Sequence, residues 1–416
     1  MSLVKTSLIN GISVAVRMIS LLGINKALAA FVGPTGYALI GQLQNIIQII
    51  TSIAGGALGN GVIRYTSELE GDPKEQYLVW SNSFKLGGSI SLITSLISFL
   101  FSDTLSTFFF KTNDYSYIFL WLGFSIPLYV FNSILLAILN GKNELKRLVF
   151  ANIIGSVISL LFIVLIVYKW RLEGALIALS VHQSLSFFVS LYFVVKTKWF
   201  KFQYFLFPID KRVVKNFVRY FFMAITSAVI APAGQMVVRD TMLNSFSPSD
   251  TGNWEALFKL SSAYLLFITS TLSVYYLPKI SKIKIQSEIR EEVVSCLKLI
   301  IPVLILTSSI IYIYKDFVVT LLFSNDFFIS DKSFIFQIII GDTIKTGAWL
   351  LGFILVAKGE VKIYFLSELI FFIVFTLSTR LLIPSLSSDA PAAAYSVSYG
   401  VYFIFVLLGL RRRELI

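Results

Sequence analysis

Residues Phe334–Glu368 read FIFQIIIGDTIKTGAWLLGFILVAKGEVKIYFLSE. Two apolar runs flank the short turn Lys358-Gly359-Glu360. Each run is close to the ~20 residues that carry a helix across ~30 Å of hydrocarbon. The stretch therefore reads as two membrane-spanning helices. The first places Asp342, Lys345 and Trp349 at i, i+3 and i+7, on one face. The second carries Glu368 about two turns in. Ionisable groups at this depth are costly unless they face a partner or water. They point to a polar path inside a helical bundle, with the rest of the chain as its walls.

The composition agrees. Of 416 residues, 56% are hydrophobic and 14% charged, where a soluble chain carries roughly 25% charged residues; mean hydropathy is +0.80. The apolar runs are too long, and alternate too little, for barrel strands. The reading is an all-α integral membrane protein. Cys296 is the single cysteine, and His182 the single histidine. Neither a disulfide within the chain nor a histidine-based metal or catalytic cluster can be built from them. His182, beside Gln183 and Ser184, reads as a packed, hydrogen-bonded group or a titrating one. Ala27-Leu28-Ala29 resembles a signal-peptidase site, but Arg17 interrupts the preceding run, which is also too long for a signal core. The first helix is read as uncleaved.

Twelve spans are expected: Leu8–Val32, Tyr37–Ile63, Leu78–Phe101, Tyr115–Leu139, Leu148–Tyr168, Gly174–Val195, Phe217–Leu243, Gly252–Leu277, Val293–Tyr314, Phe334–Ala357, Val361–Pro384 and Pro391–Leu410. With the N-terminus in the cytoplasm, inside segments hold 21 of the 35 Lys and Arg residues and outside loops hold 5. This bias sets the orientation and puts both termini in the cytoplasm. The net charge of +12 thus meets anionic lipid headgroups, and gives nucleic acid little support as a partner. The basic loop between spans six and seven divides the chain into an N-lobe (1–200, helices 1–6), a cytoplasmic linker (201–216) and a C-lobe (217–416, helices 7–12). An even number of spans per half gives two parallel repeats. No loop is large enough for a catalytic domain, and no histidine–acid motif occurs. A membrane polymerase or acyltransferase is therefore disfavoured, and the chain is read as not an enzyme.

Nine of the Lys and Arg residues lie in or at the edges of spans. Lys85, Arg219, Lys298 and Arg380 are near helix ends and can snorkel to headgroups. Arg17 and Lys345 are deeper; Lys26, Arg239 and Lys259 lie in the outer third. Polar stripes at helical spacing accompany them: Asn10, Ser13, Arg17 and Ser20 in span one; Gln42, Asn45, Gln48 and Ser52 in span two; Asn152, Ser156 and Ser159 in span five. Each stripe is either an interhelical hydrogen-bond seam or the wall of a wet cavity. Glu255 and Lys259 (i, i+4), and Asp342 and Lys345 (i, i+3), are spaced to pair. Such pairs are either structural or hold a carboxylate that binds a proton or cation during transport. In the first half Arg17 and Lys26 have no acid within their helix. Surplus positive charge suits an anionic substrate, with phosphate the obvious candidate. Pro232 should kink span seven, and Gly55, Gly56, Gly59 and Gly61 loosen the end of span two.

These residues resemble a known pattern. The match is strongest in Phe267-Ile268-Thr269-Ser270 through Ser273-Val274-Tyr275-Tyr276-Leu277-Pro278, then Leu322-Phe323-Ser324-Asn325, Gly341-Asp342-Thr343-Ile344-Lys345 and Val356-Ala357-Lys358. Gly33-Pro34-x-Gly36, Asn60-Gly61-Val62 and Asn113-Asp114-Tyr115 add to it. The chain resembles the Wzx-type flippases of O-antigen and other enterobacterial polysaccharides, in the multidrug/oligosaccharidyl-lipid/polysaccharide (MOP) exporter superfamily. The enterobacterial common antigen subgroup is the nearest in pattern.

The resemblance implies 12 transmembrane helices in two six-helix lobes around a central cavity, the MOP-type fold, in the bacterial inner membrane. It implies translocation of undecaprenyl-pyrophosphate-linked oligosaccharide repeat units, O-antigen type, by alternating access. A common-antigen repeat is the alternative, followed by cation-coupled multidrug export. Asp342 and Lys345 carry over by motif. Burial adds Arg17, Lys26, Arg239, Lys259, Gln42 and Asn45 as substrate contacts, and Glu255 and Glu368, with Asp342, for coupling or gating. Arg239-Asp240 departs from the two adjacent bases common in relatives. Aromatics Trp254, Tyr264 and Trp349 are expected to face sugars. No cofactor is expected, and the absence of a Walker A motif excludes ATP as the direct energy source. Beyond the lipid-linked substrate and membrane lipids, a polysaccharide polymerase and a chain-length regulator are the expected partners.

Overall fold

The structure, a computed structural model, describes the chain apart from residues 1–2, 57, 198, 202–207, 273–275, 277–278, 281–282 and 284. For residues 3–14, 56, 60, 215–227, 267 and 270–271 it describes the backbone alone. Several residues of the resemblance, including Ser273–Tyr275, Leu277 and Pro278, thus lie outside the described residues, as do the side chains of Asn10, Ser13 and Arg219.

The described residues are helical, without strands. Apolar helices cross bilayers because every backbone polar group is satisfied within the helix. Seven helices among the described residues are long and apolar enough to do so. Three of them, Ala15–Gly55, Leu145–Val195 and Val361–Arg412, run 41, 51 and 52 residues. Each has the length for two passes at about 20 residues per crossing. Each also contains a break: Gly33 at φ 71°, Arg171 at φ 46° and Ser387 at φ 51°. With α7 (Lys211–Ser245) and α8 (Pro248–Thr271), the architecture is consistent with twelve spans. It is a multi-pass, all-α membrane fold.

The chain forms two compact units. Unit 1 comprises Met1–Val32 and Gln42–Val229, and unit 2 comprises Gly33–Gly41 and Ile230–Ile416. The division thus falls at Val229/Ile230, past the 201–216 linker. A local reason is visible in unit 1. Asn82, fully buried, donates from Nδ2 to the Pro208 carbonyl (3.3 Å) and accepts the Asp210 N–H on Oδ1 (2.9 Å). Trp199 packs its ring on Trp80, so the segment before α7 is tied to unit 1. The core of that unit gathers Leu58, Val62, Trp80, Ile126, Val130 and Ile134.

Segment 33–41 joins unit 2 because it packs there without side-chain bulk in the way. A Cβ on Gly252 would lie 1.8 Å from the Pro34 carbonyl oxygen. Tyr37 sits edge-on to Phe323 and Phe327 at 5.9 and 5.4 Å. The Gly33-Pro34 motif is thus a docking turn as well as a helix break. Among the described residues, π-helical segments at Ser52–Gly56 and Ile335–Gly341 interrupt the spans. Ser52–Gly56 contains Gly55 at φ 141°, where the sequence places loosening glycines. Ile335–Gly341 runs directly into Asp342. Such turns frequently mark functional positions.

Candidate functional site

The π turn ends where Asp342 begins, and the reason it packs is Gly341. A Cβ there would meet the Tyr395 ring at 2.6 Å. The glycine lets α14 (Ala390–Arg412) bring Tyr395 against the head of α12 (Asp342–Lys358). Asp342 is fully buried. Ser261 Oγ donates to both of its oxygens at 2.8 and 2.7 Å. Tyr395 donates to Oδ1 at 2.7 Å, and the Tyr264 hydroxyl donates to Oδ2. Three hydroxyls therefore replace the water that a buried carboxylate loses.

Lys345 does not bond Asp342 directly. Its Nζ donates to the Tyr395 hydroxyl at 2.8 Å. It lies over Trp349 at 4.6 Å from the ring centre, with Tyr395, Tyr399 and Phe258 at 5.1, 5.3 and 5.9 Å. Aromatic faces attract a desolvated cation, so this cage offsets part of the cost of burying the ammonium. Glu368 lies within electrostatic reach of Lys345 and hydrogen-bonds Tyr402 and Tyr364. Asp342, Lys345 and Glu368 are thus brought into one network.

A second ion cluster lies in the same unit. Glu255 and Arg239 are both buried and bonded, Arg239 donating from Nη2 to Oε2. Lys259 Nζ stands 3.5 Å from Oε1 and keeps 22% of its side chain exposed. The Trp254 ring lies 5.9 Å from the Arg239 guanidinium carbon. Gly41 makes room, since a Cβ there would sit 2.3 Å from the Glu255 carboxyl carbon. The i, i+4 pairing of Glu255 with Lys259 is present, but Arg239 is the closer partner.

In unit 1, Arg17 is exposed and within electrostatic reach of Tyr129. Lys26 is half-buried. Gln42 donates to the Phe109 carbonyl at 3.1 Å. Asn45 is buried, and its Nδ2 meets no acceptor among the described residues. Ser159 donates to the His182 carbonyl at 3.1 Å and His182 Nδ1 lies 2.9 Å from the Leu179 carbonyl. That part of the span-five stripe is a hydrogen-bond seam, and His182 is a packed histidine.

Ser261, Tyr395, Tyr399 and Tyr402 were not singled out from the sequence. The three tyrosines fall at i, i+4 and i+7 on span twelve, a stripe that spacing alone displays. Ser261 gives no such signal.

Residues 3–284 match the family described as polysaccharide biosynthesis protein. The chain belongs to that family. Relatives of this family member include the lipid III flippase of Escherichia coli K12 and that of Shigella flexneri. Each is 28% identical over 416 residues, covering 99% of this chain and all of the relative. Among solved structures, an inward-facing multidrug resistance MATE family transporter of the MOP superfamily aligns with a TM-score of 0.76 at 13% identity, covering 96% of this chain and 94% of its own. The lipid II flippase MurJ, in an inward closed conformation, gives 0.72 at 14%, covering 99% and 89%. These likenesses establish the MOP-type fold.

Proposed function

We propose that the protein is a flippase that moves an undecaprenyl-pyrophosphate-linked oligosaccharide repeat from the cytoplasmic to the periplasmic leaflet of the bacterial inner membrane. The observation that carries this reading is the end-to-end similarity to lipid III flippases. It favours the enterobacterial common antigen repeat, the alternative drawn from the sequence, over an O-antigen repeat. The reading makes the protein a transporter, with chemistry limited to binding and, in coupling, to proton or ion exchange.

The charges divide by access. In unit 1, Arg17 is exposed and free to meet a diphosphate; Lys26, half-buried, supports it, and Gln42 and Asn45 offer amides. In unit 2, Lys259 retains exposure and takes the same role. Arg239 and Lys345 are buried in this conformation and contribute to the substrate after the bonds of Glu255 and Asp342 rearrange. Trp349, Trp254 and Tyr264 are the aromatic surfaces assigned to sugars. Asp342, with Glu255 and Glu368, is the site assigned to coupling: a buried carboxylate held by three hydroxyls changes partners when it gains or loses a proton.

Complementation tests the reading. The chain is expressed in strains lacking flippases for different lipid-linked repeats, with surface polysaccharide measured. Restoration in the common-antigen strain is expected. Restoration only in an O-antigen strain reverses the repeat assignment, and failure in every strain despite normal accumulation overturns the function. If Asp342→Asn leaves flipping and its pH dependence unchanged, the coupling role is wrong.

A further inference from the structure

The same short turn occurs in each unit. In unit 1 it reads Leu139-Asn140-Gly141-Lys142-Asn143-Glu144-Leu145-Lys146, and in unit 2 Leu355-Val356-Ala357-Lys358-Gly359-Glu360-Val361-Lys362. The backbones repeat as well. Asn143 (φ 57°) and Gly359 (φ 71°) take the left-handed conformation, which asparagine and glycine adopt more readily than most residues. The Glu144 N–H donates back to the Leu139 carbonyl and the Glu360 N–H to the Leu355 carbonyl, both at 2.9 Å. Asn143 and Gly359 donate to the carbonyls of Asn140 and Val356 at 2.9 and 3.3 Å. This is one helix-ending turn built twice. In each copy a half-buried lysine stands just before the reversal.

Both lysines reach the end of another span of their own unit. Lys358 Nζ donates to the Ile280 carbonyl at 3.0 Å and to the Ile283 carbonyl, where the chain has left span eight. Lys142 Nζ donates to Gln76 Oε1 at 3.2 Å, and Gln76 Nε2 donates in turn to the Thr66 carbonyl at 2.6 Å. Thr66 lies in the last turn of α2 (Leu58–Glu68), which continues span two. The last carbonyls of a helix lack partners within it and carry its partial negative charge, so an ammonium is a fitting cap. The unit 1 turn also touches α2 directly. Ser67 Oγ donates to the Gly141 carbonyl at 3.1 Å, and a Cβ on Gly141 would lie 2.6 Å from the Thr66 Cβ. The partners differ, a buried amide relay in one unit and bare carbonyls in the other, yet the same residue of the same turn finds them.

We infer that Lys142 and Lys358 form a duplicated latch on the face that the Lys/Arg bias makes cytoplasmic. The first ties the end of span two to the turn after span four, the second the end of span eight to the turn after span ten, and each tied pair moves as one piece. An opening on that face then lies outside these pairs. The latch itself stands on the geometry; its transport readout rests on the flippase reading.

The test uses the full chain in lipid nanodiscs, read by hydrogen exchange. Lys142→Met and Lys358→Met keep the aliphatic stem and remove the ammonium. Lys142→Met should raise exchange in the peptide carrying Thr66 and Gln76 at least about tenfold, as loss of a charge-assisted hydrogen bond does, and leave the peptide carrying Ile283 within about twofold of wild type. Lys358→Met should do the reverse. Gln76→Leu, which breaks the relay from its other end, should match Lys142→Met. Arginine at either lysine position keeps a charged donor and should restore most of the protection. Unchanged exchange beside the substituted lysine, loosening of both units by either change, or arginine behaving as methionine overturns the latch. Complementation supplies the second readout. At wild-type abundance each methionine variant should transport at least about fivefold less, the low end of an ordinary coupling, and arginine should rescue it. A methionine variant that loosens its peptide yet transports as wild type sinks the one-piece movement. A wild type that complements no strain sinks the transport reading, and the exchange rates still decide the latch.

Discussion

The Tyr395 hydroxyl stands between Asp342 and Lys345, accepting from the ammonium at 2.8 Å and donating to the carboxylate at 2.7 Å. One turn of helix separates the two charges in sequence, yet the bond between them passes through a residue about fifty positions away. A direct pair would neutralise both groups and lock them. A hydroxyl between them can reverse its donor and acceptor roles when either charge changes.

Tyr395→Phe keeps the ring in the Lys345 cage and removes only the bridge. It should cost about 1–3 kcal/mol, the usual range for a buried partner left unsatisfied, seen as a lowered melting temperature. Transport should fall by more than the stability loss explains. If flipping survives at wild-type rate in folded protein, the bridge is structural only.

Arg239 and Glu255 should behave unequally. Glu255→Gln removes the carboxylate charge bonded to Arg239, fully buried, and leaves the positive Lys259 without it as well. Breaking a buried pair by removing one partner costs about 3–5 kcal/mol, and the upper end is expected here. Arg239→Met leaves Glu255 with Lys259 at 3.5 Å, so its cost should be smaller. Replacing both, Arg239→Met with Glu255→Leu, should recover much of the loss. Thermal unfolding of the three proteins decides it; equal costs for the two single changes would show that Lys259 does not compensate.

How far the sequence discloses this arrangement depends on the range of each interaction. Spans were legible because burial in lipid imposes a length and a composition on every segment. Asp342, Lys345 and Glu368 were legible as deep charges for the same reason. Their partners were not. Helical spacing pairs Glu255 with Lys259, since it reports only neighbours on one helix. Arg239 reaches Glu255 from another helix, and no local period encodes that. Ser261 is one serine among several on its span, distinguished only by facing Asp342. The Tyr395, Tyr399, Tyr402 stripe carried a signal, though aromatic stripes are common wherever helices pack. Segment 33–41 shows the same limit: its glycine and proline mark a turn, while the surface it docks on depends on Gly252, far along the chain.

Asn82 clamps the backbone before α7, and its loss should free that segment. Asn82→Ala removes both bonds to residues 208–210. Trypsin should then cut at Lys211 or Arg212 at least several times faster, tracking the opened population. The Arg212 guanidinium holds the half-buried Asp210 carboxyl below its ordinary value. The contribution of that carboxylate is present above the unfolded value of ~3.9, and it is lost as pH falls through the lowered folded value. Between pH 5 and 8 the wild-type cleavage pattern should therefore stay constant, apart from the activity of trypsin itself. A change within that window, or equal cleavage of variant and wild type, would show that the clamp does not hold the segment.

Two glycine substitutions separate close packing from helix propensity. At Gly252 an added Cβ meets backbone, with the Pro34 oxygen, carbonyl carbon and Cα at 1.8, 2.6 and 3.0 Å. Backbone cannot rotate away as a side-chain tip can, so the docking turn must move bodily. Gly252→Ala should cost at least about 3 kcal/mol, the upper range for overpacking, and lower the amount of folded protein recovered. At Gly400, inside α14, an added Cβ meets nothing within 4 Å. Alanine there should be neutral or stabilise by up to ~1 kcal/mol through helix propensity. The two melting temperatures, measured in the same detergent, should move apart. Should Gly252→Ala melt with wild type, segment 33–41 does not dock on unit 2 as described, and the grouping of that segment with unit 2 fails with it.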